Sequence, residues 1–211
     1  MSYIYLIRHG KPDFPDNIPI CIGCKTDLPI DKEGEKQAAV WKGCFSQCNI
    51  IYHSYLLRAK QTAAVLADGR NLRELDGVQE MDVGEWEGKT FKYLKQEYPE
   101  IYKKRGADWS VDLPGGESLI NVADRALEAI ENVLKSKRQP PDMVVVTHDG
   151  VIRSILLKLL KLDPTSAPMP LQPYGSITTL EYRNREFTVL SVGHLPHDYP
   201  SMDEIKSLWA K

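Results

Sequence analysis

The sequence predicts an α/β fold in which a mostly parallel β-sheet carries helices on both faces. Two segments, 3–7 and 143–147, are apolar without polar alternation, which is typical of strands buried on both faces. Longer stretches between such segments have apolar residues at helical spacing. Strands that alternate with helices along a chain form a parallel sheet covered by those helices.

Length and composition are those of an ordinary globular protein. The 211 residues are 42% hydrophobic and 27% charged, and we expect one domain spanning 1–211. The net charge of −2 offers no reason to expect binding to nucleic acid or to membranes. No apolar run approaches the roughly 18 residues of a spanning helix, and the start lacks a basic region and cleavage site. We therefore expect a cytoplasmic protein.

Five strands are predicted from short runs of β-branched, aromatic and aliphatic residues. They cover 3–7, 49–53, 143–148, 176–182 and 187–193. The last two flank a turn at Asn184, and we expect this hairpin to add one antiparallel strand to the parallel sheet.

Five helices are predicted from apolar periodicity and from end signals. The first begins at Asp31 as its N-cap and continues through Ala38, Trp41 and Phe45. The others cover 58–67, 91–98, 117–137 and 150–161. The third stops before Pro99, because the residue ahead of a proline disfavours helical geometry.

Four cysteines form two pairs, Cys21 with Cys24 and Cys44 with Cys48. Four thiolates could close a tetrahedral zinc site. However, the second pair simply extends the apolar positions of the first predicted helix, and reduced cysteines mostly behave as small hydrophobic residues. We favour that interpretation over zinc, and we expect no disulfide in a reducing compartment.

Polar side chains follow three of the predicted strands at the point where each strand ends. The first strand runs into Arg8 and His9, the strand at 143–148 ends in His148, and Arg58 follows the strand at 49–53. The carboxyl ends of parallel strands share one edge of the sheet, which is where such folds bind ligands. We therefore expect two histidines and two arginines to converge there.

Such a cluster suits a phosphoryl group. Guanidinium groups offer planar forks of donors to a tetrahedral dianion, and helix N-termini add backbone amides. The chain has no Cys-x5-Arg loop, Walker motif or G-x-S-x-G motif, so the nucleophile is a neutral imidazole, either His9 or His148. Glu80, in a glycine-containing loop, is a candidate proton donor, although an isolated glutamate is usually a solvated surface residue.

Four segments in this order resemble the histidine phosphatase superfamily, the phosphoglycerate-mutase-like proteins: "LIRHG", "SYLLRAKQTA", "VQEMDVGEWEG" and "VVVTHDGVIR". Further similar segments are "TDLPIDKEGEKQA", "LPGGESL" and "YGSITTLEY", so the resemblance covers residues 3 to about 194. It implies a three-layer α/β/α sandwich. Two loops depart from the usual pattern: "KPDFPDNIP", where many members place a phosphate-contacting Asn, Ser or Thr, and "CIGCKTD" at the mouth of the pocket.

The resemblance also implies a role for each candidate residue. His9 would be the residue that is phosphorylated, and Glu80 would be the proton donor. Arg8, Arg58 and His148 would form the phosphate pocket. The residues alone could not choose between the two histidines, whereas the resemblance does.

Within this family we expect a metal-independent phosphatase that needs no cofactor and acts on a small phosphorylated metabolite. The chain is short between Glu80 and His148, and "GEWEGKT" resembles the phosphatase branch rather than the mutases. The set of segments is also similar to α-ribazole phosphatases, which makes α-ribazole 5′-phosphate a possible substrate. The alternatives are a phosphoglycerate mutase and a non-catalytic module that binds phosphorylated ligands. Four aromatic residues near the site are expected to be packing residues: Trp86, Tyr98, Tyr102 and Trp109.

Overall fold

A computed structural model of the protein describes residues 1–136, 141–165 and 169–195. Its strands are β1 Ser2–Arg8, β2 Ile50–His53, β3 Asn71–Glu74, β4 Met143–Thr147, β5 Ile177–Arg183 and β6 Glu186–His194. They form one sheet in the order β3-β2-β4-β1-β5-β6. The four strands from β3 to β1 are parallel, which confirms the predicted mostly parallel sheet.

Six helices lie in the described part of the chain. They are α1 Lys32–Ala39, α2 Leu57–Ala67, α3 Phe91–Glu97, α4 Pro99–Ala107, α5 Leu119–Lys135 and α6 Asp149–Leu160. Residue 137, the last of the predicted helix 117–137, lies outside the described residues. None of these six helices is long and apolar enough to cross a membrane.

Side chains of the central strands alternate between two hydrophobic cores. Ile4 and Leu6 of β1 point into a core that includes the apolar stripes of α5 and α6. Tyr5 and Ile7 point to the opposite face and pack with residues of α2 and with Phe45. Because both faces of the sheet are covered, the structure has the predicted three layers.

The last two strands form the predicted hairpin, which adds one strand of opposite direction, β5, to the sheet. Strand β5 is antiparallel to β1, and β6 is antiparallel to β5. The segment after α6 returns to the carboxyl edge of the sheet, where the Gly175 N–H donates to the carbonyl of Arg8 at 3.1 Å. Strand β5 therefore starts at the edge where β1 ends. Asn184 and Arg185 form the hairpin turn, both with positive φ.

The structure differs from the sequence-based expectations at three places. Helix α1 ends at Ala39 and does not continue to Phe45 as predicted. Turns follow the helix, and Gly43 adopts a left-handed φ of 77°. Trp41 and Phe45 are nevertheless buried in the core. Strand β3 was not predicted, since all four of its residues are exposed and show no apolar pattern. Helix α4 was also missed; it begins at Pro99, which is favourable in the first turn.

Candidate active site

Two histidines lie side by side where β1 and β4 end. Arg8 is in register with Thr147, and the His9 N–H donates to the Thr147 carbonyl at 2.9 Å. The ring centroids of His9 and His148 are 5.1 Å apart. Both side chains are buried. The predicted convergence of strand ends therefore places the two imidazoles in contact.

The orientation of the His9 ring follows from its hydrogen bond. Its Nδ1 lies 2.8 Å from the carbonyl oxygen of Gly10, and a carbonyl only accepts, so Nδ1 carries the proton. The lone pair is then on Nε2. Burial, followed by the charges of Arg58 and Arg8, holds the pKa of His9 well below its usual range. His9 is therefore a neutral imidazole at neutral pH with a nucleophilic nitrogen.

The His148 ring is held by a serine at the end of β2. Its Nε2 lies 2.8 Å from the hydroxyl of Ser54, and that hydroxyl accepts from the N–H of Leu56 at 3.2 Å. Its Nδ1 is buried and has no partner among the described residues. Burial, then the charges of Arg58 and of His9, lower the pKa of His148. When Ser54 donates to Nε2, the proton sits on Nδ1, and His148 has a donor for a ligand.

Arg58 is completely buried in the first turn of α2. Its two terminal nitrogens donate to the carbonyls of Gly23 and Thr26, both at 2.9 Å, while Nε has no partner in the described part of the chain. The same loop is anchored from the other side. One carboxylate oxygen of Glu87 accepts from the N–H groups of Gly23 and Thr26 at 2.8 and 3.0 Å. Glu87 thus orders the loop that positions Arg58.

Arg8 is held by the segment that precedes β5. One terminal nitrogen donates to the carbonyl of Gln172 and lies 3.6 Å from a carboxylate oxygen of Asp149. The guanidinium carbon lies 3.9 Å above the ring of Tyr174, a cation–π contact. Tyr174 also approaches His9, with ring centroids 5.7 Å apart.

Glu80 is buried and reaches the first turn of α6. Its carboxyl oxygens accept from the N–H of Met81 at 2.9 Å and from the N–H of Gly150 at 3.2 Å. Burial raises the pKa of Glu80, and the charge of Asp149 adds to this, whereas both hydrogen bonds and Arg58 oppose it. A side chain at position 150 would collide with the Glu80 carboxyl group, so the close approach requires glycine.

A cavity of about 180 Å³ opens over these residues. It is lined by Arg8, His9, Glu80, Asp149 and Tyr174, and by an apolar wall of Phe14, Ile20, Cys21, Ile22 and Phe91. Arg58 and His148 are completely buried behind His9: the ring of His148 contacts that of His9, and the charge of Arg58 acts on it. The structure therefore brings together all five residues that the sequence singled out.

The geometry agrees with a comparison of the whole chain. A family model described as the histidine phosphatase superfamily (branch 1) matches residues 4–194. The chain belongs to this superfamily. The resemblance inferred from the motifs is thereby confirmed.

Two curated relatives of this histidine phosphatase chain carry phosphatase names. The metal-independent phosphoserine phosphatase of Arabidopsis thaliana is 29% identical over 205 residues, covering 93% of this chain and 83% of that protein. Phosphoserine phosphatase 1 of Hydrogenobacter thermophilus is 31% identical over 168 residues, covering 77% of this chain and 78% of that protein. Family and relatives together support phosphatase activity.

A solved structure gives the same fold for a third phosphatase. The phosphoserine phosphatase of Entamoeba histolytica, crystallised with 3-phosphoglyceric acid, superposes with a TM-score of 0.77 at 28% identity. The match covers 93% of this chain and 99% of that chain. It confirms the phosphoglycerate-mutase-like fold.

Three residues at the histidine phosphatase site were missed from the sequence. Tyr174 lies in the recognised segment "YGSITTLEY" but carried no chemical signal of its own. Gln172, with its carbonyl on Arg8, lies just before that segment. Glu87 lies in the segment "GEWEGKT", which was recognised as a motif, but its hydrogen bond to the backbone of Gly23 was not predicted.

The aromatic residues near the site are packing residues, as expected. Trp86 is buried in the core and stacks on Tyr102 with ring centroids 5.8 Å apart. Tyr98 and Trp109 pack against the same core.

The four cysteines are all free. Residues 1–136, 141–165 and 169–195 contain no group of three or more histidine, cysteine or acidic side chains placed to hold a metal ion, so the two pairs do not form a four-thiolate site. Burial, followed by the charges of Glu87 and Glu80, raises the pKa of Cys21 to about 12. Its thiol is therefore protonated and lines the cavity as an apolar group.

Proposed function

We propose that this protein is a metal-independent phosphomonoester hydrolase that works through a phosphohistidine at His9. One observation carries the proposal: the buried imidazole of His9 lines the cavity together with Arg8 and Glu80, and its Nδ1 is bound to a carbonyl, which leaves Nε2 unprotonated. The imidazole, the guanidinium groups and the carboxyl group each have one role in phosphoryl transfer.

The phosphate dianion is bound by groups that have donors to spare. Arg8 and Arg58 each have a buried Nε without a partner among the described residues. The Nδ1 of His148 is also buried and also has no partner among them. These donors neutralise the dianion and hold it for in-line attack. Positioning and electrostatic stabilisation then supply most of the acceleration.

The reaction takes place in two displacements. First, His9 Nε2 forms a bond to phosphorus while the bond to the ester oxygen breaks, and Glu80 gives its proton to that leaving oxygen. Second, a water oxygen bonds to phosphorus while the nitrogen–phosphorus bond breaks, and Glu80 accepts the proton of the water. Inorganic phosphate and an alcohol are released, and both residues return to their starting states.

Two contacts favour His9 over His148 as the nucleophile. Nε2 of His148 is engaged with the Ser54 hydroxyl, whereas Nδ1 is the engaged nitrogen of His9. His9 also lines the cavity, while His148 lies behind it. His148 is therefore proposed as a phosphate ligand.

Metal independence follows from the source of the positive charge. Arg8 and Arg58 supply the charge that a divalent cation supplies in other phosphatases. The Arabidopsis relative, whose name includes the words metal-independent, agrees with this part of the proposal. Phosphoserine appears in the names of two relatives, whereas α-ribazole 5′-phosphate stays a prediction for this protein.

The test is a labelling experiment with a ³²P-labelled ester, stopped in alkaline denaturant. Wild-type protein should carry a label that is stable in base and lost in acid, and His9→Ala should carry none. His148→Ala should still be labelled, but more slowly, and His194→Gln, outside the cavity, should match wild type. Label retained in His9→Ala and lost in His148→Ala would reverse the two roles. Interconversion of phosphoglycerates without release of phosphate would indicate a mutase.

A further inference from the structure

We propose that the substrate is an ester whose leaving group is small, apolar and uncharged, because the wall opposite the phosphate site is apolar and carries no cationic side chain among the residues that the structure describes. The inference rests on the hydrolase function proposed above and specifies its substrate class. It concerns the leaving group, which is the part of the substrate other than the phosphoryl group.

The wall comes from one loop and the start of a helix. Phe14 and residues 20–22 lie on the loop between β1 and α1, and Phe91 is the first residue of α3. Apart from the sulfur of Cys21, which is a protonated thiol, the wall side chains are hydrocarbon. A leaving group directed away from the strand ends therefore meets Phe14, Ile20, Ile22 and Phe91.

Backbone hydrogen bonds hold this wall in place without a ligand. The Cys21 N–H donates to the carbonyl of Lys89, and the Gly88 N–H donates to the carbonyl of Cys21, both at 2.8 Å. Ile20 forms an isolated antiparallel bridge with Thr90, immediately before Phe91. The two parts of the wall are thus joined to each other, and an apolar surface that is already formed loses little conformational entropy on binding.

The charges of the cavity lining disfavour a second anionic group on the substrate. Arg8 is the only cationic side chain among the described residues that line the cavity, and it faces the phosphate and Asp149. A leaving-group carboxylate would lose its hydration against hydrocarbon and would lie near the acidic side chain of Asp149. Burial of such an unpaired charge is unfavourable.

Three lysines that are close in sequence to the wall residues are engaged elsewhere. Lys11 forms an ion pair with Asp31, and Lys25 pairs with Asp82 at 2.8 Å. The ammonium group of Lys89 donates to the carbonyl of Glu85. A carboxylated substrate would have to compete with these acceptors for the lysines.

The size of the cavity limits the leaving group. Its volume of about 180 Å³ is below the roughly 300–1,000 Å³ of pockets for drug-sized ligands. A phosphoryl group together with a single ring or a short alkyl chain suits this space.

The experiment compares esters that differ in charge but not in the basicity of the leaving oxygen. Pentyl phosphate and 5-(phosphonooxy)pentanoate form such a pair. We expect kcat/KM to be at least about tenfold higher for pentyl phosphate, and to rise about three- to fourfold per methylene from ethyl to pentyl phosphate.

Matched variants assign the preference to the wall. Phe91→Ala should lower kcat/KM for pentyl phosphate about tenfold and leave ethyl phosphate nearly unchanged. Tyr93→Ala, which removes an equally exposed aromatic ring outside the cavity lining, two residues away on the same helix, should leave both unchanged. Ile22→Lys should reduce or reverse the preference against the carboxylated ester, whereas Ile18→Lys, on the exposed part of the same loop, should not.

Equal or higher kcat/KM for the carboxylated ester in wild type would overturn the inference while leaving the hydrolase function intact. So would equal effects of Phe91→Ala and Tyr93→Ala. If no ester were hydrolysed and no phosphohistidine formed, the hydrolase function itself would fail. Calorimetric binding of pentylphosphonate against 5-phosphonopentanoate would then still test the wall, with tighter binding of the carboxylated compound counting against it.

Discussion

On one side of the cavity, Arg8, His9 and His148 lie at the ends of neighbouring strands, whereas on the other side Phe14, Ile20 and Phe91 lie on loops and at a helix start. The strand-end side is held by the register of β1 against β4, in which each residue is paired by the sheet. The loop side is held by a few backbone bonds between distant segments. In this protein the regular side holds the groups proposed to bind phosphate, and the irregular side holds the groups proposed to contact the leaving group.

This difference indicates how each side should respond to mutation. A change at a strand end removes one donor from a rigid site, so it should affect all esters alike. A change on the loop side should depend on the leaving group. Glu80 and Arg58 connect the two sides, since Glu80 reaches α6 and Arg58 binds the carbonyls of the 23–26 loop.

The largest effect should come from Glu80→Gln. With an alkyl phosphate the mutant should phosphorylate His9 about 10²–10⁴-fold more slowly, because an alkoxide leaves poorly without a proton. With nitrophenyl phosphate the first step should be nearly normal, and phosphohistidine should accumulate because the activation of water is lost. Pre-steady-state kinetics with both esters measure this difference. Equal fractional losses would mean that Glu80 is not the acid, and Asp149 would be tested next.

The pH profile provides a second measurement on the same residue. His9 must be unprotonated to attack, and its lowered pKa places the acid limb of kcat/KM below the ordinary histidine value of about 6.5. Glu80 must be protonated, and its raised pKa extends activity upward in pH before the alkaline limb begins. For an alkyl ester, Glu80→Gln should remove the alkaline limb and keep the acid limb. An alkaline limb that survives in the mutant would belong to another group.

Next in size is Arg58→Met, which removes a buried donor from the phosphate side. We expect kcat/KM to fall about 10²–10³-fold for aryl and alkyl esters alike. Arg70→Met is a matched control, since Arg70 also donates to backbone carbonyls, those of Phe45, Leu66 and Ala67. Both variants should lower Tm, because carbonyls lose their donors, but Arg70→Met should keep kcat/KM within about twofold. Parallel losses of activity in the two variants would point to unfolding rather than to phosphate binding.

A smaller effect is expected from Glu87→Ala, which acts on Arg58 through the loop. The N–H groups of Gly23 and Thr26 lose their acceptor, so we expect the loop to loosen and kcat/KM to fall roughly tenfold. Glu85→Ala removes an exposed carboxylate in the same motif, whose side chain contacts the Tyr98 hydroxyl at 3.3 Å. It should change kcat/KM by less than about twofold. Steady-state kinetics on one aryl ester suffice, and identical values for the two variants would contradict a role for Glu87 in positioning the loop.

The smallest effect, less than about twofold, is expected from removal of divalent metal, since the arginines supply the positive charge. Turnover is measured after dialysis against a chelator. Activity that is lost and then restored by zinc or magnesium would show that these side chains do not suffice.

Much of the phosphate side could be predicted from the sequence. The apolar runs before His9 and His148 indicated buried parallel strands, and parallel strands bring their carboxyl ends to one edge. The positions of Arg8, His9 and His148 therefore follow from local patterns and one general rule. Arg58 was placed at the same edge by the strand that precedes it, and the family resemblance gave Glu80 its role as proton donor.

The sequence by itself determined the α/β class and the strand-end cluster, because strand periodicity is local and strand ends meet at a common edge. Only the tertiary structure decided which imidazole lines the cavity, the pairing of β5 with β1, the position of Tyr174 over Arg8, and the wall that joins Ile20 to Phe91. The physical reason is the length of chain that these contacts span. Gly150 and Glu80 are 70 residues apart, Gly23 and Glu87 are 64 apart, and Arg8 and Gln172 are 164 apart. No local pattern encodes such pairs, because each forms only when the sheet and its helices bring two loops to the same edge.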